Sequence, residues 1–217
     1  MSSAAAVTIR VKPSLRGVMH QVTFAICLVA APILTFQQPP GVRMWAIGVY
    51  TGCLTALFGI SAAYHRPTWQ PAARARMRRL DHAGIYLQIA GTYTPMCLLA
   101  IGGETGRRLL WLAWLGAAAG IVKSLVWVHA PKPLSALLYV GLGWLVVSEW
   151  PALRAAMSTR DLVLLMAGGV LYTLGAVIYS LKRPDPLPEV FGYHEIFHTL
   201  VVAAAACHFA MVQSLLN

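Results

Sequence analysis

The segment His194-Glu-Ile-Phe-His198 gives the strongest indication of chemistry in this sequence. Residues at positions i and i+4 share one face of a helix, so both imidazoles can point at one ion, and a divalent metal is the commonest reason for such a pair. The segment also spells HExxH, in which the glutamate of a metalloprotease activates water. A third interpretation, two polar residues facing lipid headgroups, needs no metal. The rest of the sequence has to decide between these three.

The composition indicates the environment of this segment. Of 217 residues, 58% are hydrophobic and 11% are charged, and the mean hydropathy is +0.65. A soluble domain of this length needs a more mixed surface, so we predict an integral membrane protein. The formal net charge of +10 then indicates basic loops at an anionic membrane surface, and we expect no nucleic-acid binding. The cysteines lie singly in apolar runs, which is typical of small buried residues: Cys27, Cys53, Cys97 and Cys207.

Seven apolar runs are separated by joints that contain Pro and Gly. Each run approaches the roughly 20 residues that a helix needs to cross about 30 Å of hydrocarbon. The runs cover residues 17–36, 44–64, 82–101, 109–128, 134–150, 162–181 and 194–216. They predict an all-α fold, a seven-transmembrane helix bundle, with one domain over residues 17–217 and a short, retained cytosolic tail over residues 1–16. Within the fourth run, Gly116 and Gly120 fit close helix packing.

The distribution of Lys and Arg predicts the orientation of this bundle. With seven crossings, the N-terminal side carries twelve of the 17 Lys and Arg residues and the opposite side carries five. Basic residues accumulate on the cytoplasmic side of membrane proteins. We therefore expect a cytoplasmic N-terminus, an external C-terminus and a multi-pass location in the inner (cytoplasmic) membrane.

Further ionisable residues are expected at the depth of the histidine pair, because run two ends and run three begins on the side where run seven starts. The ionisable residues are His65, Asp81 and His82, and the polar residue Ser61 lies four positions before His65. Ionisable groups at the edge of a span are costly, so by default they indicate function. His65 would add a third nitrogen to those of the pair in run seven. Three nitrogens leave a fourth tetrahedral position open, as catalytic zinc sites do.

Three motifs in this order resemble the hemolysin III family of bacterial membrane proteins, which is related to the progestin and adipoQ receptors and, more remotely, to alkaline ceramidases. The motifs are Ser61-x-x-x-His65, Arg79-Leu80-Asp81-His82 with Gly91-Thr-Tyr-Thr-Pro95 downstream, and His194-x-x-x-His198. The resemblance implies Zn2+ near the cytoplasmic helix ends of a seven-helix bundle. The ligands that it implies are His65, His194 and His198. It also implies that Asp81 contacts the water at the zinc and that Ser61 lies close by.

Most of these polar residues also have an interpretation without catalysis. Asp81 would cap the third helix, since an acid in the first turn accepts free amides and suits the helix dipole. Ser61 would hydrogen-bond to its own helix. We expect Glu195 to be an interfacial acid or a group that contacts a zinc ligand, because zincin proteases usually take their third ligand downstream. We expect His82 likewise to contact a zinc ligand, although the related receptors usually have an aromatic residue at this position. We expect the other histidines to be structural, the first two near enough to the cytoplasmic edge to support a ligand: His20, His129 and His208.

Taken together, these features predict a metal-dependent hydrolase that acts on acyl lipids or amides at the cytoplasmic side of the bilayer. Zinc would activate water and polarise a carbonyl, Asp81 would transfer the proton, and Ser61 would hold the oxyanion or the water. The substrate would be a membrane lipid, because the site lies at membrane depth. The alternative from another class is a non-enzymatic membrane-homeostasis or lipid-sensing protein with structural zinc. Two further alternatives are an intramembrane HExxH protease and a pore-forming hemolysin; we expect no secretion signal, which argues against the second.

Overall fold

The computed structural model describes residues 12–216, which form a helical bundle. Its helices are α1 (Val18–Phe36), α2 (Val42–His65), α3 (Pro71–Pro95), α4 (Gly103–Val126), α5 (Lys132–Trp144), α6 (Trp150–Ala156), α7 (Thr159–Leu181) and α8 (Tyr193–Ser214). A π-helical segment over Met96–Ile101 prolongs α3, and a 3-10 turn over Leu145–Glu149 joins α5 to α6. With these extensions, seven helices are long and apolar enough to cross a membrane. The predicted all-α bundle of seven spans is confirmed, whereas most of the predicted tail over residues 1–16 lies outside the described residues.

The ends of the spans form two faces, because successive spans run in opposite directions. One face carries the start of α1, the end of α2, the joint between α4 and α5, and the joint between α7 and α8. We call it the N-terminal face. Its location on the cytoplasmic side stays a prediction.

The third span begins earlier than the sequence indicated. α3 starts at Pro71, about ten residues before the predicted run. Proline suits the first turn of a helix, and the Ala, Arg, Met and Leu residues that follow are strong helix formers. At about 1.5 Å per residue, the added part carries α3 roughly 15 Å past Asp81. The interpretation of Asp81 as a cap of this helix is therefore wrong, because Asp81 lies well inside it.

The centre of the bundle is formed mainly by α2 and α3. α2 packs against α1 and α3, α3 packs against α4, α7 packs against α8, and α1 contacts α8. The fully buried side chains at these contacts include Ile47, Tyr50, Phe58, Met96, Leu109 and Met211. Large apolar side chains cover the outside of α1, among them Val22, Ile26, Val29 and Ile33. Such an outer surface is expected where a helix meets lipid.

Small residues and one tyrosine fix the contacts between the middle spans. A Cβ atom on Gly120 would lie 2.2 Å from the ring of Tyr86, so the predicted close packing at this glycine is confirmed. The hydroxyl of Tyr93 lies 3.0 Å from the carbonyl oxygen of Leu142 and accepts a hydrogen bond from the amide of Val146 at 2.8 Å. These amide and carbonyl groups lie where α5 gives way to the 3-10 turn. The Gly91-Thr-Tyr-Thr-Pro95 motif thus supports the break in the fifth span.

Candidate metal centre

Three histidines from two helices converge on the N-terminal face. His65 is the last residue of α2, and His194 and His198 lie on successive turns at the start of α8. One ring nitrogen of each lies within 4.8 Å of one nitrogen of each of the others. The relative exposure of the three residues is 9%, 9% and 2% in that order. The structure therefore brings together the three residues that the sequence singled out as ligands.

The spacing of their nitrogens suits a tetrahedral ion. The Nε2 atoms of His65 and His194 lie 3.3 Å apart. Zinc–nitrogen bonds of about 2.0–2.1 Å at tetrahedral angles place two nitrogens roughly 3.3–3.4 Å apart. A ring nitrogen of His198 lies within 4.8 Å of a nitrogen of each of the other two, so this buried group of three histidines can hold a metal ion.

Asp81 and Ser61 stand beside this group. An oxygen of Asp81 lies 3.8 Å from Nε2 of His65, and the aspartate side chain is 14% exposed. Ser61 is buried on α2, one turn before His65, and its hydroxyl lies next to the Asp81 carboxyl. Within the described helix, Thr51 and Thr55 each donate to a carbonyl one turn earlier, whereas Ser61 makes no such bond. A carboxylate and a hydroxyl therefore border the histidines.

Glu195 serves the fold of α8. One of its oxygens accepts a hydrogen bond from the amide of Gly192 at 2.9 Å, and the other is paired with the guanidinium of Arg16. The side chain is 1% exposed. Both oxygens thus have partners, one at the residue before α8 and one before α1. These partners do not suit the water-activating glutamate of an HExxH protease, and the predicted contact of Glu195 with a zinc ligand stays a prediction.

A short segment over residues 12–17 lies across the centre, and sequence reasoning missed it. The amide of Ser14 donates to the carbonyl of Glu189 at 2.9 Å, so the segment pairs with the joint before α8. Gly17 has φ of +80°, and a Cβ atom there would lie 2.6 Å from Cβ of His65. Only glycine tolerates both this backbone angle and so close an approach. The packing of Gly17 against His65 therefore requires a glycine at position 17. The sequence offered a single glycine next to an apolar run, which is too common to signal this contact.

Basic side chains surround the centre. The ammonium group of Lys132 lies 4.0 Å from the ring centroid of Tyr179, and the ring of Tyr179 lies 5.8 Å from that of His194. Lys12 donates to the carbonyl of Arg66 at 2.6 Å. Burial of Lys12, followed by repulsion from neighbouring arginines, holds the pKa of its amine below the ordinary value. This part of the N-terminal face therefore attracts anionic groups.

The remaining histidines are distributed differently. His20 is buried against the ring of His198, with ring centroids 3.8 Å apart. His208 lies deeper in the bundle, where Nε2 is 3.1 Å from the carbonyl oxygen of Leu165, as expected for a structural residue. His129 is exposed between α4 and α5, and His82 is partly buried beside Asp81 in the chain. Supporting roles for His82 and His129 stay predictions.

Comparisons with known proteins agree with this arrangement. The model of the family described as "Haemolysin-III related" matches residues 8–209. The chain is 34% identical over 167 residues to Hemolysin-3 of Bacillus cereus, covering 77% of this chain and 73% of that protein. It is 35% identical over 133 residues to the Hemolysin-3 homolog of Bacillus subtilis, covering 61% and 60% of the two chains. It is also 27% identical over 216 residues to the adiponectin receptor protein of Drosophila melanogaster, covering 90% of this chain and 47% of that one.

The family match extends over nearly all of the described chain, including the convergent histidines on α2 and α8. It covers six spans in full and the seventh up to residue 209, and the seven spans make this a multi-pass membrane protein. The chain therefore belongs to the haemolysin-III related family of seven-span membrane proteins.

Proposed function

We propose that this protein is a zinc-dependent hydrolase that cleaves acyl lipids or amides at the cytoplasmic side of the bilayer. The observation that carries the proposal is the approach of Asp81 to within 3.8 Å of the three-histidine group. Three histidines suffice to hold zinc and leave a fourth position for a reactant. A carboxylate beside the histidines adds a proton acceptor, which a purely structural site does not need.

Each residue then has one task. His65, His194 and His198 would hold the ion. Zinc in such a site polarises a carbonyl and lowers the pKa of water. Asp81 would accept a proton from the attacking water and return it to the leaving nitrogen or oxygen as the acyl bond breaks. The Ser61 hydroxyl, next to the Asp81 carboxyl, would hold the water or the carbonyl oxygen in position.

The surroundings of the site support a lipid substrate. The histidines lie at the ends of membrane-spanning helices and are almost fully buried. The segment over residues 12–17 lies across them on the N-terminal face. We therefore expect a substrate to enter between the helices from the bilayer. The basic groups nearby would favour a polar or anionic head group.

A structural role for zinc is the second candidate, and the depth of burial favours it. His198 is 2% exposed, and closed coordination is typical of structural sites. In that case the protein would be a non-enzymatic sensor or membrane-homeostasis factor. The ion would then tie α2 to α8 and would not act on a substrate.

Removal of the metal from purified protein separates the two candidates. Wild-type protein in lipid nanodiscs is assayed for fatty-acid release from ceramide and from phospholipid, as isolated, after chelation and after return of zinc. The hydrolase predicts release that is lost with the metal and restored by zinc. A protein that binds zinc tightly, loses thermal stability on chelation and releases no fatty acid in any state would contradict the hydrolase and support the structural role.

A further inference from the structure

His20 of α1 lies against the metal centre without the geometry of a ligand. Its ring stacks on that of His198, with an interplanar angle of 14° and centroids 3.8 Å apart. The lone pair of an imidazole nitrogen lies in the plane of the ring. Two nearly parallel rings therefore direct their lone pairs side by side and not toward one point. His20 is thus unsuited to bind the ion that His198 would bind.

The ring of His20 is itself held in place. Its residue is 3% exposed, and the ring of Phe58 meets it edge-on at 5.0 Å and 74°. Both ring nitrogens are buried without a hydrogen-bond partner in the described part of the chain. A ring nitrogen of His20 lies near the backbone of His198, without the geometry of a hydrogen bond. The contact with the side chain of His198 is made by the face of the ring.

His198 lacks the usual means by which a metal-binding histidine is oriented. Such a histidine normally donates the N–H of its second nitrogen to a carboxylate, carbonyl or water. If His198 faces the ion with Nε2, as His65 and His194 would, its second nitrogen is Nδ1, which has no such partner within residues 12–216. The stack with His20 is the closest ring contact of His198.

We propose that His20 is a positioning residue of the metal centre, which fixes by stacking the plane in which His198 presents its nitrogen to the ion. Of the proposed function, the inference requires only the zinc site and not the hydrolysis, because a structural zinc would need the same support. A flat ring at position 20 is the required feature. The ring nitrogens are not.

The test is the zinc affinity of purified protein, measured by competition with a chromophoric chelator. His20→Leu keeps a similar volume without a flat ring, and His20→Ala removes the ring altogether. We expect both to weaken zinc binding about 10- to 100-fold, as is usual when support of a metal ligand is removed. His20→Phe restores a flat ring and should bind zinc like the wild type. Cobalt-substituted protein provides a second readout, because its visible spectrum should shift for Leu and Ala and not for Phe.

His208→Ala is the matched control, because it removes another buried histidine, on the same helix as His198, and should leave zinc affinity unchanged. Wild-type affinity and spectrum in His20→Leu and His20→Ala would overturn the inference. A His20→Phe variant that binds zinc as weakly as His20→Leu would also overturn it, because the ring nitrogens of His20 would then be required. Wild-type protein that binds no zinc would overturn the metal centre and this inference together. Zinc binding that depends on His20, in a protein without lipid hydrolysis, would contradict only the hydrolase.

Discussion

The Nε2 atoms of His65 and His194 lie 3.3 Å apart, although 129 positions separate the two residues in the chain. His65 ends α2 and His194 begins α8, so their contact depends on the correct assembly of the whole bundle. A distance that suits two ligands of one tetrahedral ion is thus maintained by helix packing. The contact connects the fold of this chain to its proposed chemistry, because a change in either helix end alters the site.

Asp81→Asn should separate metal binding from hydrolysis. The amide keeps the size of the carboxylate but no longer accepts a proton at neutral pH. We expect zinc content to stay at the wild-type level while fatty-acid release falls about 10²- to 10⁴-fold, the usual contribution of general acid–base catalysis. Mass spectrometry of released fatty acid, together with elemental analysis of the same sample, checks both. Hydrolysis by Asp81→Asn at the wild-type rate would remove Asp81 from the mechanism.

Glu195→Gln should affect stability and not hydrolysis. The change leaves an oxygen for the amide of Gly192 but deprives the partly buried guanidinium of Arg16 of its charged partner. We expect a loss of about 1–3 kcal/mol in stability, seen as a lower unfolding temperature, with unchanged hydrolysis per folded molecule. Glu104→Gln is the control, because its pair with Arg107 is exposed and should be worth about 0–1 kcal/mol. Lost hydrolysis at normal stability would instead revive the HExxH interpretation, with Glu195 as the base.

Gly17→Ala should disturb the metal centre from outside it. The alanine would have to keep a φ of +80°, which disfavours a side chain, and its methyl group would lie 2.6 Å from Cβ of His65. We expect weaker zinc binding as well as a loss of stability. Gly102→Ala is the matched control: its φ is +62°, but a Cβ atom there has no neighbour within 4 Å. Its ψ of −170° is also one that only glycine adopts readily, so the variant should lose about 1–3 kcal/mol from backbone strain alone and keep its zinc affinity. Equal zinc affinities in the two variants would mean that the contact with His65 does not matter.

Much of the fold could be predicted because hydrophobic length and the spacing of histidines are local signals. Seven apolar runs became seven spans, and their alternation placed His65 at the same face as the pair in α8. The start of α3 was missed because its first residues are rich in Arg. Their low hydropathy is typical of a loop, whereas their helix propensity and the proline at position 71 favour the start of a helix. The length of the apolar run therefore underestimated the length of α3, because the helix extends beyond its apolar part.

The parts of the site that could not be predicted depend on contacts between distant segments. Arg16 and Glu195 pair across 179 positions, and the stack of His20 on His198 joins the first span to the last. Neither contact leaves a periodic or spaced pattern in the sequence. His20 was recognised only as a histidine near the correct depth. Its stacking geometry required the positions of both helices.

The metal content of purified protein tests the central claim most directly. Elemental analysis is compared for the wild type, for alanine variants of His65, His194 and His198, and for the control His208→Ala, whose ring lies deeper in the bundle against Leu165. We predict about one zinc per chain in the wild type and in the control, in keeping with a single three-histidine site, and little or none in the other three variants. Wild-type protein without stoichiometric zinc, or equal zinc in all five proteins, would contradict a metal centre formed by these histidines.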